Sequence, residues 1–358
     1  MKISYLAQID TSIESGVINK FIRQANYWKN KGCSVKAYFI SGSEQLCKPL
    51  KDLNIEVSIL PKKSNKQLFL ESNKIINEII NDPSDIVYIR FSKYLPGMKD
   101  LVNKKKVIAE INTLTSQEFK KKSKRIVYMY SLLTEKGILN KTKGFVFLTD
   151  EIREKYRNLK KPGIVLGDGI YLDQYPSFSP TKPMVVKLVF MATNNMPWQG
   201  IDKIVFLAKQ FPGFIFNIIG LNESQIGRLD QYYPNIIFHG YLSKKDYEPI
   251  IKESDIGIGT LALHRISMEQ SSPLKVREYL AYGLPTIIGY DDVDFRGDYP
   301  FILKLPNEEN NVINNLGLIS DFVNKWKGKR VKRDLIKHID SEIKEEKRFS
   351  FISSIIAQ

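Results

Sequence analysis

The chain has 358 residues, a formal net charge of +15, and 43% hydrophobic and 11% aromatic residues. This length is typical of two domains, and this apolar content is sufficient for packed cores, which excludes a disordered chain. No stretch approaches the roughly 18–20 apolar residues that a membrane-spanning helix needs. The first residues, MKISYLAQID, become polar too soon for a signal peptide and predict a buried strand. We therefore expect a cytoplasmic protein.

Cysteines and histidines give no sign of a metal centre or a disulfide framework. Cys33 and Cys47 lack the spacing of metal ligands, and the three histidines are scattered along the chain at His239, His264 and His338. We expect no metal and no cofactor.

Positive charge is concentrated in the stretches 104–106, 120–125 and 325–333. Such stretches could attract nucleic acid, an anionic membrane surface or phosphorylated substrates, but lysine richness is also a compositional habit of AT-rich genomes. No nucleic-acid-binding signature accompanies the charge, so a nucleic-acid partner is not expected.

Strand and helix patterns alternate along the first half of the chain. The predicted strands are 3–7, 34–40, 54–60, 86–90, 106–110 and 144–148, and the predicted helices are 18–31, 67–81 and 117–136. This alternation predicts right-handed βαβ units on a parallel sheet.

A proline-rich stretch, YPSFSPTKP at 175–183, interrupts the pattern and predicts a linker at 173–183. The alternation then restarts, with predicted strands at 185–191, 215–220, 236–239 and 256–259, and predicted helices at 201–210, 224–232 and 246–253. The sequence thus predicts an α/β protein with two doubly wound, Rossmann-like domains, 1–172 and 184–335, facing a central cleft. The last stretch, 332–356, predicts a long charged helix, and the segment 336–358 could cross back to the first domain.

The segment 271–292, SSPLKVREYLAYGLPTIIGYDD, predicts a capped helix followed by a buried strand. Ser272 suits the N-cap and Pro273 the first helical position, Gly283 suits a left-handed C-cap, and Thr286–Ile288 is β-prone. Val276, Leu280 and Ala281 are spaced to form the inward face of the helix.

Lys275 and Glu278 lie three residues apart near the start of this helix, so they share one face. A helix N-terminus favours an anion, and a glutamate one turn later can accept hydrogen bonds from hydroxyls. Phosphate with a polyol is the implied ligand, and the alternative is an ordinary surface pair. Because ligands of open α/β sheets bind at the carboxyl ends of the strands, we expect this helix start to face the cleft.

Other motifs carry less weight. GIGTLA at 257–262 matches a loose dinucleotide fingerprint but lacks an immediate helix. Asp292 and Asp294 form the Asp-x-Asp pattern of some metal-dependent sugar transferases, but a turn at a strand end explains them better. Neither G-x-S-x-G nor a Walker-type lysine loop occurs, so hydrolase and P-loop interpretations have no anchor.

The second half resembles the retaining glycosyltransferases of family 4, which have the GT-B fold. SSPLKVREYLAYGLPTIIG is similar to the donor-binding signature of that family, and FMATNNMPWQGIDKIV and IIFHGYLSKKDYEPIIKESDIGIG resemble two further segments of its donor domain. SGVINKFIRQANYWKNKG and GDGIYLDQY are weaker matches, to the first-domain glycine loop and to the link between domains.

The resemblance implies roles for individual residues. Glu278 would hold the nucleotide ribose, Lys275 would hold the diphosphate together with the N–H groups near Pro273 and Leu274, and Gly16 would let a first-domain loop approach the donor. Glu110 and Asn112 would touch the acceptor or the donor sugar. The remaining residues that the resemblance places at the donor are Gln270, Ser272, Asn194, Gly220 and Tyr241.

Three departures from the family pattern stand out. Gln270 replaces a glutamate, Thr193 and Gln199 occupy the positions of a diphosphate-binding arginine and lysine, and a first-domain histidine is not evident. We expect Arg265, shortly before the signature, to supply the missing cation.

The resemblance implies transfer of a hexosyl unit, with retention, from a nucleotide-diphosphate sugar to a saccharide acceptor, in cell-surface polysaccharide biosynthesis. The acceptor would be lipid-linked, and basic first-domain residues would contact an anionic membrane surface. The alternative from another class is a non-catalytic partner or chaperone subunit. A nucleotide-sugar 2-epimerase is disfavoured because its histidine-rich cleft has no counterpart here.

Overall fold

The computed structural model describes residues 1–8, 16–42, 47–61, 65–92, 94–114, 134–180, 183–226 and 233–358. The chain divides into two compact units, one formed by Met1–Leu166 with Lys344–Gln358 and the other by Gly167–Ile343. Each unit is built on its own parallel sheet, and the predicted α/β fold with two Rossmann-like units is confirmed.

The first unit has a seven-stranded sheet in the order β3-β2-β1-β4-β5-β6-β7, and every pairing is parallel. Its strands are β1 (Lys2–Gln8), β2 (Ser34–Gly42), β3 (Glu56–Pro61), β4 (Ile86–Phe91), β5 (Val107–Ile111), β6 (Gly144–Phe147) and β7 (Gly163–Val165). Its helices before the second unit are α1 (Gly16–Asn30), α2 (Lys48–Asp52), α3 (Asn65–Asn81), α4 (Met98–Lys104) and α5 (Asp150–Lys155). A strand buried on both faces of a parallel sheet needs a run of apolar residues, and the fully buried GFVF of β6 is such a run.

The second unit has a six-stranded parallel sheet in the order β10-β9-β8-β11-β13-β15 and a separate two-stranded ribbon of β12 and β14. The strands are β8 (Val186–Met191), β9 (Phe214–Ile219), β10 (Ile236–Phe238), β11 (Ile256–Ile258), β12 (Gln270–Ser271), β13 (Thr286–Ile288), β14 (Asp291–Asp292) and β15 (Ile302–Lys304). The helices are α6 (Ile201–Gln210), α7 (Lys244–Glu253), α8 (Leu274–Ala281) and α9 (Leu316–Trp326). The strand order reverses between β8 and β11, and ligands of such sheets bind outside the strand ends at such a point.

The last helix, α10 (Ser341–Ile356), packs on the first unit, where Ile352 and Ile355 are buried in its core. The predicted long, charged helical stretch over 332–356 is confirmed, but it is divided into two helices. A 3₁₀ helix at Arg333–Ile339 precedes α10, and the extended backbone of Asp340, which pairs with Ile170, separates the two.

Three further sequence predictions differ from the structure or lie beyond it. The strand 144–148 does not end the first series, because β7 follows it in the same sheet. A 3₁₀ turn at Glu223–Gln225 occupies the start of the predicted helix 224–232, and 227–232 lie outside the described residues. Most of the predicted helix 117–136 also lies outside them.

Candidate functional site

Helix α8 begins directly after Pro273, which has extended backbone dihedrals (φ −72°, ψ 133°). The prediction that Ser272 caps this helix was wrong, because no side chain caps it. Ser272 is 1% exposed, and its Oγ accepts hydrogen bonds from the backbone N–H of Asp168 (2.7 Å) and from Nη2 of Arg277 (2.8 Å). The serine hydroxyl therefore belongs to a buried polar network. The predicted left-handed Gly283 at the helix end is confirmed, with φ of +81°.

A pocket of about 290 Å³ lies at the N-terminus of α8, within the second unit. The first N–H groups of a helix have no partner inside the helix, and the helix dipole makes this end electropositive. The pocket is therefore suited to an anion. Its lining residues are Met191, Ala192, Thr193, Trp198, Gln199, Thr260, Leu263, Ser271, Pro273, Leu274 and Lys275.

Among the described residues that line this pocket, Lys275 is the one with a cationic side chain. Its Nζ donates to the backbone carbonyl of Met191 (3.0 Å) and lies 4.3 Å from the ring centroid of Phe190. Burial of the ammonium group lowers the pKa of Lys275 to about 7. A diphosphate beside it would favour the charged form, so ligand binding and protonation of Lys275 are coupled.

Helix α8 also fixes the end of β8, which forms one wall of the pocket. The hydroxyl of Tyr279 accepts a hydrogen bond from the backbone N–H of Met191 (2.7 Å), while Lys275 donates to the carbonyl of the same residue. Gly257 makes room for this arrangement, because a Cβ there would lie 2.5 Å from the Tyr279 ring. The glycines of the dinucleotide-like fingerprint therefore have a packing explanation.

Gly220 has the same kind of structural reason, at the strand end beside β8. Its φ is +96°, and a Cβ would lie 2.2 Å from the carbonyl oxygen of Ala192, which lines the pocket. A glycine is therefore required for the backbone to approach this wall.

Two other residues predicted to bind the donor, Asn194 and Tyr241, lie on the surface of the second unit. Asn194 is exposed and its Oδ1 accepts from the N–H of Asn195 (2.8 Å), while Tyr241 is 70% exposed. At the two departures from the family pattern, the backbone N–H of Thr193 donates to Oε1 of Gln199 (2.9 Å), so the side chain of Gln199 organises the pocket loop.

Glu278 lies one helical turn after Lys275 on α8 and is half-buried. Its Oε1 accepts a hydrogen bond of 2.6 Å from the hydroxyl of Tyr247 on α7. Gln270 lies in β12, paired in parallel register with Asp291 of β14. The ribbon thus places Gln270 shortly before the helix that carries Glu278.

The role predicted for Arg265 at the diphosphate stays a prediction. Its guanidinium donates to both carboxylate oxygens of Asp202 (2.8 and 2.6 Å), to Oε2 of Glu309 (3.1 Å) and to its Oε1, and to the carbonyl of Pro197 (2.9 Å). These contacts engage all five donors of an arginine. Arg265 thereby ties its loop to the start of α6.

Arg277 lies on α8, the helix that carries Lys275 and Glu278, and the sequence did not single it out. It is fully buried and pairs in bidentate fashion with Asp292 (2.7 and 2.6 Å), with a further contact to Asp294 (2.9 Å). Its Nε donates to the carbonyl of Asp168 (3.0 Å), so it joins α8 to the first residues of the second unit. Arg277 lies three residues before the inward-facing Leu280, and this spacing could have placed it on the buried face of the helix. The acidic pair Asp292 and Asp294 could have indicated its partners.

In the first unit, Glu110 is 1% exposed at the end of β5. It receives hydrogen bonds from Lys20 (2.9 Å), Tyr88 (2.6 Å) and Arg348 (2.9 Å), and from Nδ2 of Asn112 (3.0 Å). Burial opposes ionisation, but the neighbouring cations outweigh it and hold the pKa of Glu110 well below its usual range. Glu110 is thus the centre of a buried ion-pair network.

Gly16 is the first residue of α1. Residues 9–15, which precede it, lie outside the described residues.

The basic stretches are only partly available as surface charge. Lys105 and Lys106 donate to the backbone carbonyls of Asp82 and Ile356, Arg330 donates to two backbone carbonyls, and 120–125 lie outside the described residues. Within the described ranges, no helix is long and apolar enough to cross a membrane. The same part of the chain contains no group of three or more His, Cys, Asp or Glu residues that could hold a metal ion.

Two parallel-sheet units, with an anion-suited helix start beside the reversal of strand order in the second, define an α/β protein of the GT-B fold. No family model matches the chain, and no curated protein matches it.

Solved structures of glycosyltransferases match it over its whole length. A glycosyltransferase from Rickettsia africae is 17% identical over 99% of both chains, with a TM-score of 0.69. HepE from Anabaena in complex with UDP is 13% identical over 99% of this chain and 100% of its own, with a TM-score of 0.68. The lipopolysaccharide outer core galactosyltransferase WaaB is 12% identical over 99% of both chains, with a TM-score of 0.68. At these identities the likeness establishes the fold.

Proposed function

We propose that this protein transfers a hexosyl unit from a nucleotide-diphosphate sugar to a saccharide acceptor, with retention at the anomeric carbon, in the manner of family 4 glycosyltransferases. The observation that carries the proposal is the pocket at the N-terminus of α8, with Lys275 in its wall. HepE, which has the same fold, binds UDP. A nucleoside diphosphate fits the chemistry of such a pocket.

The residues divide the work of donor binding between them. The diphosphate lies against the first N–H groups of α8, with Lys275 beside it, and Glu278 accepts hydrogen bonds from the ribose hydroxyls. When the glycosidic bond breaks, negative charge develops on the departing diphosphate. The fixed helix dipole and the Lys275 ammonium stabilise that charge, which is a main source of rate enhancement in group transfer. We expect this reaction to proceed in the presence of EDTA.

We further propose that the acceptor is a lipid-linked saccharide of the cell envelope, and that the protein works in the cytoplasm against the inner membrane face. WaaB acts on lipopolysaccharide outer core and has the same fold, and a net charge of +15 favours an anionic lipid surface. Sedimentation with vesicles of anionic and of neutral lipid measures this. Equal binding to both would contradict it.

A non-catalytic partner subunit remains the second candidate, and specific contacts favour it. Thr193 and Gln199 stand where the family pattern has cations, and Arg265 is engaged with two carboxylates and a backbone carbonyl. Among the described residues that line the pocket, Lys275 is then the cation that acts with the N-terminus of α8 on the diphosphate.

The first experiment is a thermal-shift screen against UDP, GDP, ADP and CMP and their common sugars. Ligand at about 100 times its Kd stabilises the folded state by roughly 2.7 kcal/mol, which corresponds to several degrees. We expect a shift with one nucleotide that Lys275→Met and Glu278→Ala abolish and Lys245→Met retains, since Lys245 is an exposed lysine of α7.

Turnover separates the two candidates. Release of free nucleotide with an acceptor extract, followed by NMR of the anomeric proton of the product, shows transfer and its stereochemistry. Binding without turnover favours the non-catalytic subunit, and no binding to any nucleotide contradicts the proposed function.

A further inference from the structure

Helices α7 and α8 exchange two hydrogen bonds between tyrosine and glutamate side chains. Tyr247 of α7 donates to Oε1 of Glu278 on the α8 side (2.6 Å), and Tyr282, at the C-terminal end of α8, donates to Oε2 of Glu248 on α7 (3.1 Å). The two contacts are chemically alike but lie at different ends of the helix pair. One of them ends on the carboxylate proposed to hold the ribose.

We propose that Tyr247 is a positioning residue that holds the Glu278 carboxylate in the orientation in which it receives the two ribose hydroxyls. This inference rests on the proposed function, because it assigns Glu278 to the ribose. Tyr247 itself makes no contact with the nucleotide in this scheme.

The contact has the geometry of a strong, directional bond. An O–H donor at 2.6 Å from an ionised carboxylate is within the short range of charge-assisted hydrogen bonds. Burial, and then the neighbouring Glu278, raise the pKa of Tyr247, so the phenol stays a donor throughout the physiological range.

The surroundings of Tyr247 restrict its own movement. It packs against the apolar core that contains Tyr279 and Leu280 of α8. In the same core, Tyr282 makes edge contact with Tyr175 (4.9 Å between centroids) and stacks on Phe178 (5.3 Å). Packing against this core restricts the ring of Tyr247, and its hydroxyl holds the Glu278 carboxylate. A carboxylate that is held in place before binding loses less entropy on binding.

The test compares nucleoside diphosphates with and without ribose hydroxyls. Kd is measured by calorimetry for UDP, GDP and ADP and for their 2′,3′-dideoxy forms, on the wild type, Tyr247→Phe and Tyr282→Phe. Phenylalanine retains the packing in both variants. Tyr282→Phe is the matched control, because it removes the other hydrogen bond between the same two helices.

We expect the dideoxy form to bind the wild type about 10–100-fold more weakly, the range typical of lost hydrogen bonds to a charged group. In Tyr247→Phe this ratio falls several-fold, because the weakening is confined to the hydroxylated nucleotide. In Tyr282→Phe the ratio stays at the wild-type value. In the double variant Tyr247→Phe/Glu278→Gln the ratio equals that of Glu278→Gln alone, since both changes remove one coupled interaction.

An unchanged ratio in Tyr247→Phe overturns the inference while leaving the proposed function in place. An equal fall in both tyrosine variants also overturns it, because the effect then comes from helix packing. A wild type that binds none of the three nucleotides contradicts the proposed function, and the inference falls with it.

Discussion

Lys275 combines a stability penalty with a proposed function at one atom. Burial lowers its pKa to about 7 in the folded state, against an ordinary value of 10.5. Between these two values the unfolded chain binds a proton that the folded protein does not. The free energy of unfolding therefore rises with pH through this window, and below pH 7 the full cost of the buried charge is present. Bound diphosphate would offset this cost.

We predict that Lys275→Met stabilises the nucleotide-free protein at pH 7 by on the order of 1 kcal/mol, or roughly 2–4 °C for a unit of this size. The difference shrinks as the pH rises toward 10, because the folded wild-type lysine is neutral there and the cost of burying its charge falls as the pH approaches the unfolded value of 10.5. The same variant loses nucleotide binding. Thermal denaturation between pH 6.5 and 10, with and without the nucleotide found in the screen, measures both effects.

Binding to the wild type supplies the complementary measurement. Its Kd for the nucleotide rises between pH 7.5 and 9, by at most about tenfold per unit, because the ammonium that faces the diphosphate is lost. In Lys275→Met the weaker residual binding is flat over this range. A wild-type Kd that is independent of pH there would contradict the assignment of Lys275 to the diphosphate.

At the scale of the element, the buried side of α8 is fixed to its neighbours, while its N-terminus opens into the pocket. Arg277 joins the helix to β14 through Asp292 and to the start of the second unit through the carbonyl of Asp168. Gly167 is part of this joint, because a Cβ there would lie 2.3 Å from Oδ2 of Asp294. The aspartates that resembled a metal motif thus neutralise an arginine that positions the helix.

We predict that Arg277→Met lowers the free energy of unfolding by about 3–5 kcal/mol, since it leaves buried carboxylates without a partner. Adding Asp292→Asn to this variant restores part of the loss, because the uncompensated charge is removed. Urea denaturation followed through Trp198 and Trp326 fluorescence measures this. The exposed Arg296→Met is the control and should change the stability by less than about 0.5 kcal/mol; an equal loss there would refute the role of the buried pair.

Elements were predictable from the sequence where local pattern determines them. Most strands of both sheets and the apolar face of α8 follow from runs and spacing that the chain displays directly. The short strands β7 and β15 were not predicted. The errors have long-range causes. Ser272 was predicted to cap α8, but its hydroxyl oxygen instead accepts a hydrogen bond from the backbone N–H of Asp168, 104 residues away in the chain. Likewise, nothing in the sequence indicated that Arg265 pairs with Glu309, 44 residues later. Partners so far apart in the chain cannot be predicted from local sequence.

The same limit applies to the candidate site. Lys275 and Glu278 could be singled out because one helical turn brings them onto one face. Tyr247 could not, because its contact with Glu278 spans 31 residues and depends on how α7 packs beside α8. Positioning residues of this kind become visible only when the packing is known.

At the scale of the whole molecule, the chain returns to its first unit after completing the second. Helix α10 brings Arg348 to Glu110 and places Glu345 against Arg348 and Gln24. All of these side chains are buried, so the last helix supplies the charge that balances Glu110 inside the first unit. The core of that unit is incomplete until the C-terminus has folded onto it.

We predict that Arg348→Met destabilises the first unit by about 3–5 kcal/mol at pH 7, because Glu110 and Glu345 lose a buried partner. In the wild type the pKa of Glu110 is lowered, so its contribution is present above the unfolded value near 4.3 and is lost as the pH falls through the folded value. Without Arg348 the folded pKa rises, and this loss moves to higher pH. Hydrogen exchange between pH 4 and 7 should show protection lost in β1, β4 and β5 but kept in β8 and β11. The exposed Arg153→Met serves as the control, and equal loss of protection in both units would show that α10 does not act on the first unit alone.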